Sequence, residues 1–472
     1  MQEKNNSKFI KLAIIVVIGA IIWFSSPPKG LEPVAWQYFA IYIMAVLGIM
    51  LRPFKEPVIV LIILGLMSLI TGPQFALGGF SSTSVWLVFS AFLISAAFAE
   101  TGLGRRIAYI LIGKFGKSTL GICYSMAITD FILAPATPSN TARTGGIVFP
   151  VFNNVAATLG SKYEDGTSRK MASYFAMTAW HITLLTSALF FTATSVNVIS
   201  AGFAKDILSV NIDWFTWLKG SIVPGMIVFL LTPFVIYKLY PPEVKKIDGY
   251  KEVSANGLKE IGPMAVKEKL LALFFVTAII LWATGSITNI NATSVALAFL
   301  GICLLAGVLS WETILKQSGA WNTLIWYAAI IGISSALASN GFFVWLSDLI
   351  SGTFNLASVN PTFLLLILVF IGVVSRYLIA SAASFCTTIL PVLLTIGHVA
   401  GLPPMSLALM IAFSADFGAM VTHYGGACGP VIFAHGHVDQ KTWWLLGLVT
   451  VALNIVVYFA IGLPYWNLIG LN

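Results

Sequence analysis

The chain has 472 residues, of which 58% are hydrophobic and 9% charged, with a formal net charge of +8. Soluble domains carry roughly 25% charged residues, so a soluble enzyme or a nucleic-acid-binding module is excluded. Repeated apolar runs of about 20 residues, each long enough to cross a bilayer, make it an all-α polytopic membrane protein with a single membrane domain.

The first run, about residues 10–25, has Lys4, Lys8 and Lys11 before it or at its start. Its flanks resemble a signal peptide, but no small-residue cleavage site follows, so it reads as a retained first helix. Further spans are expected at about 35–51, 56–71 and 84–101, then 170–194, 215–239, 270–285, 293–309, 321–340, 403–423 and 442–464. That makes about 11 transmembrane helices.

Two other apolar stretches, about 118–157 and 361–399, are interrupted in the middle. Pro135 and Pro138 break the first, and the small polar run from Ser381 to Ser384 breaks the second. Each half is short for a crossing, which predicts two re-entrant helical hairpins. Such backbone is tolerated at membrane depth only inside protein or along a watery cavity. The positive-inside rule agrees. Arg52, Lys55, Arg105, Arg106, Lys114, Lys117, Lys162, Arg169, Lys170 and the lysines of the 241–269 linker share one side only if both hairpins return to their own side. The N-terminus is then cytoplasmic and the C-terminus external.

The halves resemble each other. ISAAFAETG at 94–102 and ISSALASNG at 333–341 match at Ile, Ser, Ala, Ala and Gly. An amphipathic stretch follows each, then a broken hairpin, then a helix interrupted by polar residues (about 170–205 and 403–435). Residues 1–240 and 270–472 therefore read as two inverted repeats joined by a charged cytoplasmic linker. Inverted repeats with interrupted helices mark secondary transporters.

The stretch LAPATPSNTARTGG at 133–146 carries the chemistry. At a hairpin tip the second half-helix presents free N–H groups and about half a positive charge, which favours a carboxylate. Ser139, Asn140 and Thr141 both donate and accept hydrogen bonds there; the plainer alternative is that they only cap the helix. Arg143 and Arg376 lie inside the two hairpins, with Asp130 and Asp416 as the acids of the same regions. Guanidinium matches carboxylate in a two-pronged geometry, so the arginines serve either a substrate or an internal salt bridge. The four cysteines show no CxxC spacing, His435 and His437 lack further ligands, and no metal or cofactor is expected.

Residues 130–150 resemble the first-hairpin motif of the divalent anion–sodium symporter family, in the branch of bacterial citrate/tartrate–succinate exchangers and plastid 2-oxoglutarate–malate translocators. THYGGACGPVIFAHG at 422–436 resembles a second motif of that branch, with Cys428 and Ala434 among the departures. The resemblance spans the whole chain. It implies a homodimer, an elevator-type transport domain moving through alternating access, and a dicarboxylate held between the hairpin tips. Ser139, Asn140 and Thr141 carry over directly. The second triplet falls at Ser381, Ala382 and Ala383, where only the serine survives. The broken helices contribute Thr194, Ser195 and Asn197, and Thr422, Gly425 and Pro430.

Loss of two oxygen ligands at the second tip weakens a sodium site. Arg143 and Arg376, with His398 or His423, then stand in for the coupling cations. The expectation is a sodium-independent exchanger of C4/C5 dicarboxylates (succinate, malate, fumarate, 2-oxoglutarate) in the cytoplasmic membrane; the alternative is a sodium-coupled dicarboxylate or citrate symporter. No nucleic-acid partner and no enzymatic centre are expected.

Overall fold

The structure is a computed structural model that describes residues 2–353 and 359–471. It contains helices and no strand among these residues; one isolated bridge joins Ser118 and Lys246. The principal helices are α1 (Gln2–Phe24), α2 (Pro33–Leu51), α3 (Glu56–Thr71), α4 (Thr83–Thr101), α5 (Leu103–Phe115), α6 (Thr119–Leu133), α7 (Phe149–Thr158), α8 (Ala172–Leu189), α9 (Ser195–Leu208), α10 (Trp214–Leu239) and α11 (Tyr250–Ile261). After these come α12 (Val266–Ala283), α13 (Ala292–Leu305), α14 (Ser318–Ser339), α15 (Phe342–Thr353), α16 (Pro361–Leu378), α17 (Ala382–Thr388), α18 (Leu390–Val399), α19 (Pro404–Ala419), α20 (Cys428–Phe433) and α21 (Gln440–Val457).

Starts and stops follow local chemistry. Prolines open α2, α16 and α19, where a missing N–H costs nothing. Ser118, Asp213, Asn360 and Asp439 cap α6, α10, α16 and α21, each accepting from the backbone N–H three residues on. Gly102 and Gly341 both adopt φ +76°, a left-handed conformation that favours glycine. They sit at equivalent points of the two halves, between α4 and α5 and between α14 and α15. The order long helix, left-handed glycine, amphipathic helix, hairpin and broken helix thus occurs twice.

Eight helical segments are long and apolar enough to cross a membrane among the described residues. Three of them, 119–136, 361–378 and 382–399, are hairpin arms. These arms are therefore longer than the sequence suggests. They still fold back on one another: Asp130 and Arg143 meet across the first pair, and α16 packs against α18 in the second. Several expected spans, including 56–71, 293–309 and 403–423, correspond to apolar helices below that length, Glu56–Thr71, Ala292–Leu305 and Pro404–Ala419.

Helices α2, α3, α4, α12, α13 and α14 pack on one another, and α6 to α10 pack with α16 to α21. The two groups meet where α9 touches α4 and α14, and where α2 and α15 touch the second hairpin.

The polar linker is more ordered than its composition suggests. It carries α11, whose inner side centres on the buried Ser254 and Gly257, flanked by Tyr250, Val253, Leu258 and Ile261. Ser254 Oγ donates to Tyr109 O at 2.7 Å, and Gly257 lies against the Tyr109 ring. Arg106 closes the far end on Glu268 at 2.5 Å, with Glu268 2% exposed. The near end is a clasp. Ile247 N donates to Lys117 O, Thr119 N to Lys245 O, and Glu243 N and Val244 N to the carbonyls of Arg169 and Lys170. The Arg169 guanidinium stacks 3.6 Å from the Tyr240 ring centroid.

Candidate functional site

At the first tip, α6 tightens into a 3₁₀ turn at Ala134–Ala136 and the chain reverses at Thr137 and Pro138. A π-helical turn, Thr141–Val148, begins the returning arm. Ser139, Asn140 and Thr141 are half-buried. Of the three, only Ser139 has a side-chain hydrogen bond among the described residues, accepting from Ala142 N at 3.2 Å.

The second tip repeats this geometry. Ser381 caps α17 and accepts from Ser384 N at 3.2 Å. Ala382 and Ala383 are half-buried beside it, and the fully buried Ser384 Oγ has no partner among the described residues. The same serine-to-third-residue bond at both tips is local evidence that the hairpins are equivalent.

The two arginines differ. Arg143 is fully buried and pairs with Asp130 at 3.1 Å. Its remaining N–H groups donate to Thr137 O (2.7 Å), Ala193 O (3.2 Å), Thr183 O (3.2 Å) and the hydroxyls of Thr183, Thr186 and Ser187 (3.3, 3.2 and 3.1 Å). Asp130 also accepts from Thr144 and Thr186. Arg143 is therefore neutralised and spent on the protein: it ties the first tip to the break between α8 and α9. The role expected for it as a substitute cation gives way to the internal salt bridge.

Arg376 donates to Ile379 O at 2.7 Å and to Gly425 O. No carboxylate lies within 4.0 Å among the described residues, and its Nε has no hydrogen-bond partner there. Its guanidinium lies 5.6 Å from the Phe385 ring centroid. Gly418 makes the room: a Cβ there would come within 2.6 Å of Arg376 Cγ. Asp416, two residues before Gly418 on α19, is buried with Oδ2 unpartnered among the described residues. Arg376 thus keeps a positive charge directly behind the second tip.

The two histidines do not join it. His398 is exposed on the last turn of α18, roughly 25 Å along the helical arm from the tip at 1.5 Å per residue. His423 stacks on Phe433 with ring centroids 4.3 Å apart, and Trp444 Nε1 donates to its Nδ1 at 3.2 Å. Indole N–H is a donor only, so His423 Nδ1 accepts and the ring is held uncharged with its proton on Nε2.

The first break is stapled by Asn197. Its Nδ2 donates to Ser187 O at 2.7 Å and Phe190 O at 3.0 Å, while Oδ1 lacks a partner among the described residues. Thr194 Oγ1 caps α9, and Ser195 is half-buried beside it. In the second break, Thr422 Oγ1 is buried without a partner among the described residues, Gly425 is buried, and Pro430 is exposed. The halves then interlock crosswise. Gly145 of the first hairpin faces Cys428 of the second broken helix, and Cys386 of the second hairpin lies 3.7 Å from Ser200 on α9.

The sequence reading missed the cradle Thr183, Thr186 and Ser187. Its signal was present: three hydroxyls at i, i+3 and i+4 form one polar stripe on an apolar helix. Two cavities of about 500 and 600 Å³ share Thr83, Ser84, Gly202 and Lys205 beside α9. Neither is lined by a tip residue.

Comparison with known proteins agrees with this architecture. The family model for the sodium:sulfate symporter transmembrane region matches residues 6–472. The inner membrane protein YbhI of Escherichia coli K12 is 43% identical over 99% of both chains. The citrate/succinate antiporter of the same strain is 32% identical, covering 97% of this chain and 98% of the relative. The crystal structure of the Alcanivorax borkumensis YdaH transporter superposes with a TM-score of 0.58 at 14% identity, over 98% of this chain and 97% of that one, and supports the fold alone. The chain belongs to the divalent anion–sodium symporter family and is a membrane transporter, not an enzyme.

Proposed function

We propose that the protein exchanges C4/C5 dicarboxylates across the cytoplasmic membrane without sodium. One observation carries the reading. The second tip has Ser381, Ala382 and Ala383, two oxygens short of the first, and Arg376 stands behind it with no carboxylate in ion-pair reach among the described residues. Hard cations need several oxygen ligands, whereas a fixed guanidinium needs only the anion.

The substrate's two carboxylates lie between the tips. Ser139, Asn140 and Thr141 serve one end with the N-terminus of their half-helix. Ser381, the backbone N–H groups at Ala382 and Ala383, and Arg376 serve the other. Ser195, Asn197 Oδ1, Thr422, Gly425 and Pro430 line the breaks beside them.

A fixed charge makes exchange obligatory. Arg376 and the N-termini of the two half-helices, worth about half a positive charge each, together answer a dianion. Without it, carrying the unmatched positive charge into the bilayer centre costs roughly 3 kcal/mol or more, so the empty carrier stays put and the loaded one crosses. The two halves act as inverted repeats. The group containing both hairpins slides as an elevator against α2, α3, α4 and α12 to α14, in a homodimer with the N-terminus inside and the C-terminus outside. The name of the antiporter relative supports exchange with succinate. A sodium-coupled symporter is the second reading, because the first tip keeps every oxygen of its triplet.

Proteoliposomes loaded with succinate or with buffer alone decide between them. Labelled succinate uptake is expected only into succinate-loaded vesicles, unchanged by sodium, and is expected to fall at least about tenfold in Arg376→Gln. Sodium-driven uptake into empty vesicles would refute exchange.

A further inference from the structure

Helices α2, α15 and α18 enclose a cavity of about 390 Å³. Phe39, Ile43, Val46, Phe342, Leu346 and Val392 form its wall. Four lining residues carry a polar side-chain group, and each is already satisfied. Tyr42 Oη donates to Thr387 O, Thr388 Oγ1 to Ser384 O at 2.7 Å, Trp36 Nε1 to Ser25 Oγ at 2.9 Å and Trp345 Nε1 to Lys29 O at 3.1 Å. A buried water needs two to four polar partners. These four groups have their donors engaged, so the wall suits hydrocarbon rather than water.

The cavity also has an orientation. Both indole N–H groups end on the segment 25–30, which carries the exposed Ser25 and Lys29. Tryptophan with its N–H on a polar loop marks the headgroup level of a bilayer. The rest of the slot runs from there between transmembrane helices, and Val392, 44% exposed, lies at its side opening.

We infer that this slot is a phospholipid site, with one acyl chain between α2, α15 and α18 and the headgroup phosphate beside Lys29. The occupant is a lipid rather than a peptide because the lining residues lie almost entirely on α-helices, whose backbone groups bond within the helix and leave a peptide little to pair with, while Lys29 supplies the charge complement to a phosphate. The inference stands apart from the exchange reading and is tested without transport.

The whole protein is purified in detergent, incubated with palmitoyl-oleoyl phosphatidylglycerol and diluted, and retained lipid is counted by native mass spectrometry. The wild type is expected to keep one lipid per chain. Ile43→Trp, which fills the slot, is expected to lower retention at least tenfold, and Lys29→Glu several-fold. Val392→Phe, at the exposed mouth, serves if Ile43→Trp does not elute as a single species. Wild-type retention in both filled variants, or bound detergent with no lipid, would overturn the site; wild-type retention in Lys29→Glu would overturn the seating at Lys29.

Discussion

Asp130→Asn changes one heavy atom in the most deeply buried ion pair among the described residues. The carboxylate accepts from Arg143 Nε at 3.1 Å and from the hydroxyls of Thr144 and Thr186. An asparagine keeps the shape but turns two hydrogens toward a site surrounded by donors. Arg143, fully buried, then carries an unmatched charge. Removing one partner of a buried pair costs about 3–5 kcal/mol. Arg143 keeps six other contacts to oxygen, which places the expected loss near the lower end, about 3 kcal/mol, or roughly a hundredfold in the unfolding equilibrium. The double variant Asp130→Asn/Arg143→Gln removes both charges and is expected to be more stable than the sum of the single changes implies. The assay is built in: Cys123, Cys303, Cys386 and Cys428 are all free and buried, so a thiol-reactive fluorogenic dye reports opening on heating. If Asp130→Asn melted with the wild type, or if the double variant were no better than additive, the pair would not hold the first hairpin as described.

Restoring the second triplet with Ala382→Asn/Ala383→Thr is expected to make uptake respond to sodium, read from a sodium titration; no response would mean that those two oxygens are not what the tip lacks. His423→Phe keeps an uncharged ring in the stack, and exchange is expected to stay within about threefold of the wild type. A larger drop would show that the imidazole contributes a charge or a bond to substrate. His437 is held by Asn153 Oδ1 at 2.8 Å and Ser168 Oγ at 3.0 Å. Burial pushes its imidazole below the ordinary value, His435 lowers it further and Glu164 opposes them. The unfolded chain therefore binds this proton more readily, so the stabilisation is complete above the unfolded value, near 6.5, and is lost as pH falls through the folded one. Melting temperature is expected to drop between pH 7.5 and 5.5, and to drop less steeply in His437→Gln.

The hairpins were legible because proline and a short polar run interrupt apolar sequence at Pro135, Pro138 and Ser381. The matching stretches ISAAFAETG and ISSALASNG both end on a glycine, Gly102 and Gly341, and the two hold one backbone conformation that few other residues accept. What a carboxylate touches is not written in spacing. Asp130 and Arg143 are 13 residues apart, while Thr183 and Ser187 come from a helix some 40 residues on, so the neutralisation of Arg143 emerges only when α8 packs against the hairpin. His423 is similar: its charge is fixed by Trp444, 21 residues away across the break. α11 lies in a charged stretch, yet Tyr250, Val253, Ser254, Gly257, Leu258 and Ile261 recur at helical spacing and form its packed face, so its signal was present among the lysines.

The clasp at residues 243–247 bears on the order in which the molecule is made. Its backbone partners, Lys117, Thr119, Arg169 and Lys170, all belong to segments that leave the ribosome earlier. As soon as the linker emerges, the base of the first hairpin and the start of α8 are fastened together, before α12 or the second hairpin exists. A membrane-inserted intermediate ending just past Ile261 would therefore already have this edge closed. The second half would then be threaded against a finished template, rather than both halves searching for each other at once.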